Sequence, residues 1–179
     1  MSADRDGSTP GTTSHQYFDD RPDVASDPVL VDVTLPDTAF VMETDRGVFS
    51  RGRLDTATSM LLRADLPIAS SGDLLDLGCG AGPIAMTMAR RSPAATVWAV
   101  DVNARARELC ARNAHRNAMT NIRVVAPSEV PAGARVAPIW SYPAIRIGKS
   151  ELRRGVGAWV ARLGTDGTAW LVGQKHLGA

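Results

Sequence analysis

The sequence predicts an α/β protein built on a doubly wound, mostly parallel sheet with a β-hairpin ahead of it. Three observations carry that expectation. From Asp73 onward, short apolar stretches alternate with segments of helical period. The first such stretch, in LLDLGCGAGP (Leu74–Pro83), runs through three glycines into a helix start. Earlier in the chain, two stretches of alternating apolar and polar residues flank Leu35-Pro36-Asp37, the pattern of an antiparallel pair.

Met1–Ser14 is rich in Ser, Thr, Asp and Gly without apolar periodicity, so it reads as a disordered leader and leaves residues 15–179 as one domain. The hairpin comprises Val29–Thr34 and Thr38–Thr44, and Leu54–Leu66 reads as a helix. The sheet region, residues 73–179, opens with strand Leu74–Leu77 and helix Pro83–Arg91, where a proline suits the first turn because its missing N–H has no helical partner to lose. Strand Thr96–Val100 follows, then helix Ala104–Asn117 capped by Asn103, strands Ile122–Val125 and Val136–Ser141, helix Ser150–Leu163 ending at Gly164, and strand Thr168–Val172. Strands separated by helices must run parallel, since each crossover is long and right-handed. A ligand then sits at the carboxyl ends of the strands where their order reverses.

Bulk properties restrict what that ligand serves. The chain has 179 residues, 44% hydrophobic and 22% charged, which suffices for one domain with a real core. No apolar run approaches 18 residues and no basic-headed apolar segment starts the chain, so a cytoplasmic protein without membrane spans is expected. Cys79 and Cys110 lack metal-site spacing and read as a small turn filler and a buried helix residue; no metal is expected. The net charge of +1 hides an asymmetry. Residues 1–37 carry eight acids against Arg5 and Arg21, a net −6, while the remainder carries 18 basic and 11 acidic residues, a net +7. A basic body is compatible with a phosphate-bearing partner.

Spacing separates the ligands that a glycine turn could hold. A phosphate-binding P-loop needs Lys-Ser/Thr after its last glycine, and Pro83-Ile84 stand there instead. A dinucleotide fingerprint needs G-x-G-x-x-G/A, whereas Gly78, Gly80 and Gly82 give G-x-G-x-G. S-adenosylmethionine carries an ammonium, a carboxylate and a sulfonium, and it alone makes sense of an acid inside the motif. Asp76 is placed to oppose the ammonium directly or through water, and Asp101, 21 residues after Gly80, to accept the ribose hydroxyls. A nicotinamide or flavin nucleotide is the competing ligand.

Five segments, HQYFDDRP (His15–Pro22), TDRGVFSRGRLDTATSMLL (Thr44–Leu62), LLDLGCGAGPIA, VDVNARA (Val100–Ala106) and IWSYPAIRIGK (Ile139–Lys149), fall in an order that resembles the small-domain S-adenosylmethionine-dependent methyltransferases, in particular the ribosomal RNA guanine-N2 enzymes. The resemblance implies a Rossmann-like sheet and RNA as substrate. It implies cofactor roles for Asp76, Gly78, Gly80, Gly82, Asp101 and Asn103, and places Thr58 near the cofactor's methionine end; the family prefers Gly where Ala57 stands. After the fourth strand of the sheet the family carries Asn-Pro-Pro, whose Asn is taken to accept both hydrogens of an exocyclic amine and so aim the nitrogen lone pair at the methyl group. Catalysis is then positioning plus electrostatics.

Here the corresponding residues are Tyr142-Pro143-Ala144. Tyr142 and Pro143 are the candidate catalytic residues, but a phenol is longer than a carboxamide, donates as well as accepts, and is no base at neutral pH. Either the chain is a diverged homologue that binds cofactor or RNA with weak or no transfer to an amine, or Tyr142 serves a different acceptor, for example by stacking on a flipped base; methylation of a small metabolite is a further alternative. Ser141, Arg146 and Lys149 flank this segment as candidate substrate contacts, the two cations being suited to phosphates, with Arg153 and Arg154 following at helical spacing. Glu129 is a candidate partner for the adenine amine. Trp98, Trp159 and Trp170 read as packing residues, and Trp140 adjoins the acceptor loop. The family continues for another helix and an antiparallel strand pair, absent after AWLVGQKHLGA; Thr168–Val172 is then expected to be an apolar edge covered by the hairpin or by a second copy, in a shortened or partial chain or a homo-oligomer.

Overall fold

The structure, a computed structural model, describes residues 24–142 and 149–173, with residues 149–154 described by their backbone alone. The leader expected at residues 1–14 lies outside them. A hairpin of β1 (Val29–Thr34) and β2 (Ala39–Thr44) leads into α1 (Thr56–Arg63); then come β3 (Ser71–Leu77), α2 (Pro83–Arg91), β4 (Ala94–Val100), α3 (Ala104–Arg116), β5 (Ile122–Val125), a 3₁₀ turn over Pro127–Glu129, β6 (Ile139–Ser141), α4 (Lys149–Val160) and β7 (Ala169–Leu171). The main sheet has the order β5-β4-β3-β6-β7 with every pair parallel. From β3 the chain winds outward through β4 to β5, then returns to the other side of β3 for β6. The switch point therefore lies between β3 and β6.

Right-handed crossovers on either side of that point place helices on opposite faces. Residues of α2 and α3, among them Met86, Met88, Leu109 and Cys110, share one buried cluster with α1 and the hairpin; Trp159 of α4 belongs to a second with Leu75, Val100 and Ile139. The alternation along β3 explains this, since Leu74 and Leu75 are both fully buried but contribute to different clusters.

Several boundaries differ from expectation, among them the start of β4 at Ala94 and the end of α4 at Val160, and three elements show why. β3 starts at Ser71, ahead of its apolar run, because its ladder with β4 continues from Ser71 opposite Ala94. β6 is confined to Ile139–Ser141: Pro138 has no N–H to give a ladder, and Val136 makes only an isolated bridge to Leu163. α1 is shorter at both ends, capped by Asp55, whose carboxylate accepts from the N–H groups of Ala57 and Thr58.

The hairpin is a sheet of its own and docks on α3 by a device that the sequence concealed. Asn113 and Asn117, one helical turn apart, act as a surrogate strand for β2. Asn113 Oδ1 accepts from Glu43 N–H at 2.7 Å while its Nδ2 donates to Glu43 O and Ala81 O; Asn117 Oδ1 and Nδ2 engage Val41 N–H and O in the same way. The hairpin thus packs on α3, while β7 is one of the two edge strands of the main sheet among the described residues, β5 being the other, and Leu171 of β7 is 47% exposed.

Candidate active site

The register of the sheet assembles the site. Leu77 pairs with Val100 on one side and Ser141 on the other, so β3, β4 and β6 end level. Asp76 lies one residue before that line, and Asp101 and Tyr142 one residue after it. Three residues spread over 66 positions of sequence are thereby brought to one end of three adjacent strands.

The turn after β3 is held by main-chain bonds. The N–H groups of Gly78 and Cys79 both donate to Val100 O, at 2.8 and 3.0 Å, and Gly82 N–H donates to Cys79 O at 2.8 Å. All three glycines have positive φ; for Gly82 the need is also steric, since a Cβ there would lie 2.6 Å from Cys110 Sγ. Gly82 is the N-cap of α2 and brings no capping side chain. Asp76 supplies the cap from across the turn, its Oδ2 accepting Ala85 N–H at 2.9 Å. A purely structural cap would explain one oxygen. The other, Oδ1, is buried without any partner among the described residues.

Burial raises the Asp76 carboxyl to about 8, Ala85 N–H pulling it down and the Asp101 charge pushing it further up. Asp101 sits beneath Gly80: Oδ2 accepts Gly80 N–H and Oδ1 accepts Asn103 N–H, each at 2.9 Å. Burial also raises Asp101, against these N–H groups and the Arg107 guanidinium. Each of its oxygens keeps a second lone pair for a ligand hydroxyl. Asn103 caps α3 through Arg105 and Ala106 N–H and donates to Gly47 O, which ties the loop between β2 and α1 to this end of the sheet.

A cleft of about 450 Å³, counted out to its open mouth, runs along the glycine turn. Thr58, Gly78, Gly80 and Pro83 line it, with Tyr142, Phe49 and Arg53 on the outer side. Thr58 is buried in α1 and lines this cleft. Asp76 has no exposed surface, so a ligand reaches Oδ1 through a small bridging donor such as water. An unpartnered buried carboxylate oxygen, a second carboxylate with spare lone pairs and a turn without side chains fit the ammonium and ribose of S-adenosylmethionine.

A profile of the methyltransferase small domain matches residues 39–179. The chain belongs to the methyltransferase small domain family. Members of this family are S-adenosylmethionine-dependent methyltransferases, so the enzyme class and cofactor expected from the glycine turn stand, and a nicotinamide or flavin ligand is set aside. An uncharacterised Bacillus subtilis protein, YbxB, is 32% identical over 169 residues, 93% of this chain and 84% of that protein. Ribosomal RNA small subunit methyltransferase C of Shewanella halifaxensis is 33% identical over 135 residues, and its match takes in 73% of this chain but 39% of its own length. The solved Thermus thermophilus 16S rRNA N2 G1207 methyltransferase, in complex with AdoMet and guanosine, superposes with a TM-score of 0.76 at 22% identity over 88% of this chain and 45% of that one, a likeness of fold.

The other side of the cleft is built around Tyr142. Tyr142 meets Phe49 edge to face, with centroids 5.3 Å apart and planes at 83°. Burial, and then the Asp55 charge, raise its phenol above the ordinary range, so it is no base. Its main-chain carbonyl oxygen lies 3.7 Å from where a Gly78 Cβ would stand. Ser141 is fully buried and donates through Oγ to Leu77 O at 2.6 Å, tying β6 to β3. Pro143 and Arg146 lie outside the described residues, as does Ala144, and Lys149 is described only as the first backbone residue of α4. Trp140 is in the core, with the Arg91 guanidinium 5.8 Å from its ring centroid, and Glu129 caps its own 3₁₀ turn at Ala126 N–H. Phe49, Arg53 and Asp55 join the site without having been expected there. The GVFS segment is the signal available for Phe49, an aromatic that alternation does not send inward.

Proposed function

We propose that this chain transfers a methyl group from S-adenosylmethionine to a guanine amine of ribosomal RNA, at a rate limited by Tyr142. The observation that carries this reading is the Tyr142 main-chain carbonyl beside Gly78. Of the two oxygens that the family's Asn is taken to offer an exocyclic amine, the main-chain one survives replacement of the side chain. The names of the relatives, which act on small-subunit RNA, and the guanosine held by the Thermus enzyme support guanine as acceptor.

When bound, the cofactor supplies a methyl group made electrophilic by its sulfonium. The chain's own residues do the rest by position. Asp76 and Asp101 hold the two polar ends of the cofactor, the Gly78–Gly82 turn lets it lie against the main chain, and the Tyr142 carbonyl accepts one amine hydrogen. The second hydrogen has no carboxamide to meet, and loss of one preorganised polar partner costs on the order of 10²–10³ in rate. The raised phenol and its edge-on contact with Phe49 favour this impaired reading over one in which Tyr142 takes a proton.

Methyl transfer from labelled cofactor to ribosomal RNA, compared between the natural chain and a Tyr142→Asn/Ala144→Pro variant, tests the proposal. The double change is expected to raise the rate at least tenfold, about 1.4 kcal/mol of barrier. Equal rates would remove Tyr142 as the limiting residue, and no transfer by either would end the guanine reading.

A further inference from the structure

Asp55 stands where the loop after β2 enters α1, and its two carboxylate oxygens are used unequally. Oδ1 accepts both cap bonds, from Ala57 N–H at 2.8 Å and from Thr58 N–H at 3.1 Å. Oδ2 has no hydrogen bond or ion pair among the described residues. Capping this helix of eight residues takes one oxygen, so the second is surplus to folding. Asp55 is half-buried and, among the described residues that line the cleft, it is the one carboxylate.

Two neighbours locate it within the lining. The Asp55 charge helps to raise the Tyr142 phenol, and no hydrogen bond joins the two side chains. Asp55 is therefore near the residue whose main-chain carbonyl lies beside Gly78. Arg53, the cation of the same lining, is exposed and makes no ion pair with it. An acceptor in that position selects a ligand group that donates. Guanine has such an edge, with its ring N1–H next to the exocyclic amine, whereas adenine has a lone pair at N1 that a carboxylate repels. A carboxylate accepting from an N–H makes a charge-assisted bond, stronger than a neutral one.

We infer that Asp55 is a specificity-determining residue of the acceptor site, its Oδ2 accepting the ring N1–H of the guanine whose amine meets the Tyr142 carbonyl. The inference rests on the guanine reading above and gives it a residue that discriminates against adenine. Amine and ring N–H are then met by different segments, the first by main chain at the end of β6 and the second by the cap of α1. The rival occupant of the same oxygen is the ammonium of the cofactor, and the experiment separates the two.

Fluorescence anisotropy of the full chain tests it with two probes, a short oligouridine strand holding one guanosine and the same strand holding one 2-aminopurine riboside in its place. 2-Aminopurine keeps the amine and lacks the N1–H. The natural chain is expected to favour guanosine at least about tenfold, the order of one hydrogen bond to a charged group. Asp55→Asn caps the helix as well as Asp does and puts a donor in place of Oδ2, while Asp55→Ser caps it without a second acceptor. In both variants the preference should fall about tenfold, with S-adenosylmethionine affinity and the denaturant midpoint retained. The O6 atom, also missing from 2-aminopurine, cancels in that comparison. An unchanged preference in either variant overturns the inference while the guanine reading stands. A preference intact in Asp55→Asn beside a tenfold loss of S-adenosylmethionine affinity assigns Oδ2 to the ammonium and overturns it as well. If the natural chain binds neither strand, the inference and the guanine reading fall together.

Discussion

The two sides of the cleft are built by different means. On one side, the turn from Leu77 to Pro83 presents main chain to the cleft, and two carboxylates bond to N–H groups of that same turn and its neighbours. On the other side, the wall includes the side chains of Phe49, Arg53 and Tyr142, contributed by segments 93 residues apart at their extremes. A ligand held by main chain allows few substitutions, since each one alters the backbone that binds it. A ligand held by side chains leaves the backbone free to accept Tyr142 where the family carries Asn.

Substitutions on the cofactor side should therefore act on folding and cofactor together. The largest effect expected is that of Gly82→Ala, which forces a Cβ to 2.6 Å from Cys110 Sγ at a φ of 93°. Overpacking and the left-handed backbone together cost about 3 kcal/mol, read as a lower denaturant midpoint. Adding Cys110→Ala should recover the steric part and leave the backbone part; a double variant no better than the single one would show the clash to be absent.

Asp76→Asn comes next. It keeps the cap on Ala85 but puts a donor where the orphaned oxygen was, and S-adenosylmethionine affinity is expected to fall about 10²-fold, as for loss of a charged hydrogen-bond partner. The same residue sets a pH dependence. In the unfolded chain this carboxyl ionises near 3.8, whereas in the native protein it stays protonated up to about 8, so folding takes up a proton between these values. Stability of the ligand-free protein should decline as pH rises through that window, and Asp76→Asn should lessen the decline, leaving the share of Asp101, whose carboxyl is also raised. An ammonium favours the ionised form, so cofactor binding below pH 8 should release up to one proton, and affinity should rise with pH until about 8. Calorimetry in buffers of different ionisation enthalpy measures the release, and its absence at about pH 7 would refute the assignment of Oδ1.

Away from both sides, Asn113→Ala removes three hydrogen bonds from a fully buried residue and should cost about 2 kcal/mol, with protease sensitivity appearing in the hairpin. The smallest effect is expected of Glu43→Gln. Its ion pairs with Arg112 and Arg116 involve guanidinium groups about half in solvent, and exposed pairs are worth about 0.5 kcal/mol or less and fade with salt.

The same contrast explains what could be read from the sequence. The glycine turn, Asp76, the cap at Asn103 and Asp101 are legible because their relations are local or set by the length of one βα unit, and the alternation of strands and helices fixes the parallel sheet. Asn113 and Phe49 are not. Asn113 has the pattern of an ordinary polar residue on a helix until β2, 70 residues earlier, is laid beside it. Phe49 has only the GVFS segment to mark it, and the pinned loop around it sets it in the lining of the cleft. The end of β6 was legible as a motif position, but the carbonyl that survives at Tyr142 belongs to the backbone, where substitution of the side chain leaves no trace in the sequence.

Asn113 has one more bond than the docking of a hairpin needs, and it goes to Ala81 in the glycine turn. With Asn103 holding Gly47, the two asparagines rivet the hairpin and the loop after it to the glycine turn and the start of α3. The spacing between these segments is thus fixed in the free chain, and a change that loosened either rivet would shift one against the other without altering any group that lines the cleft.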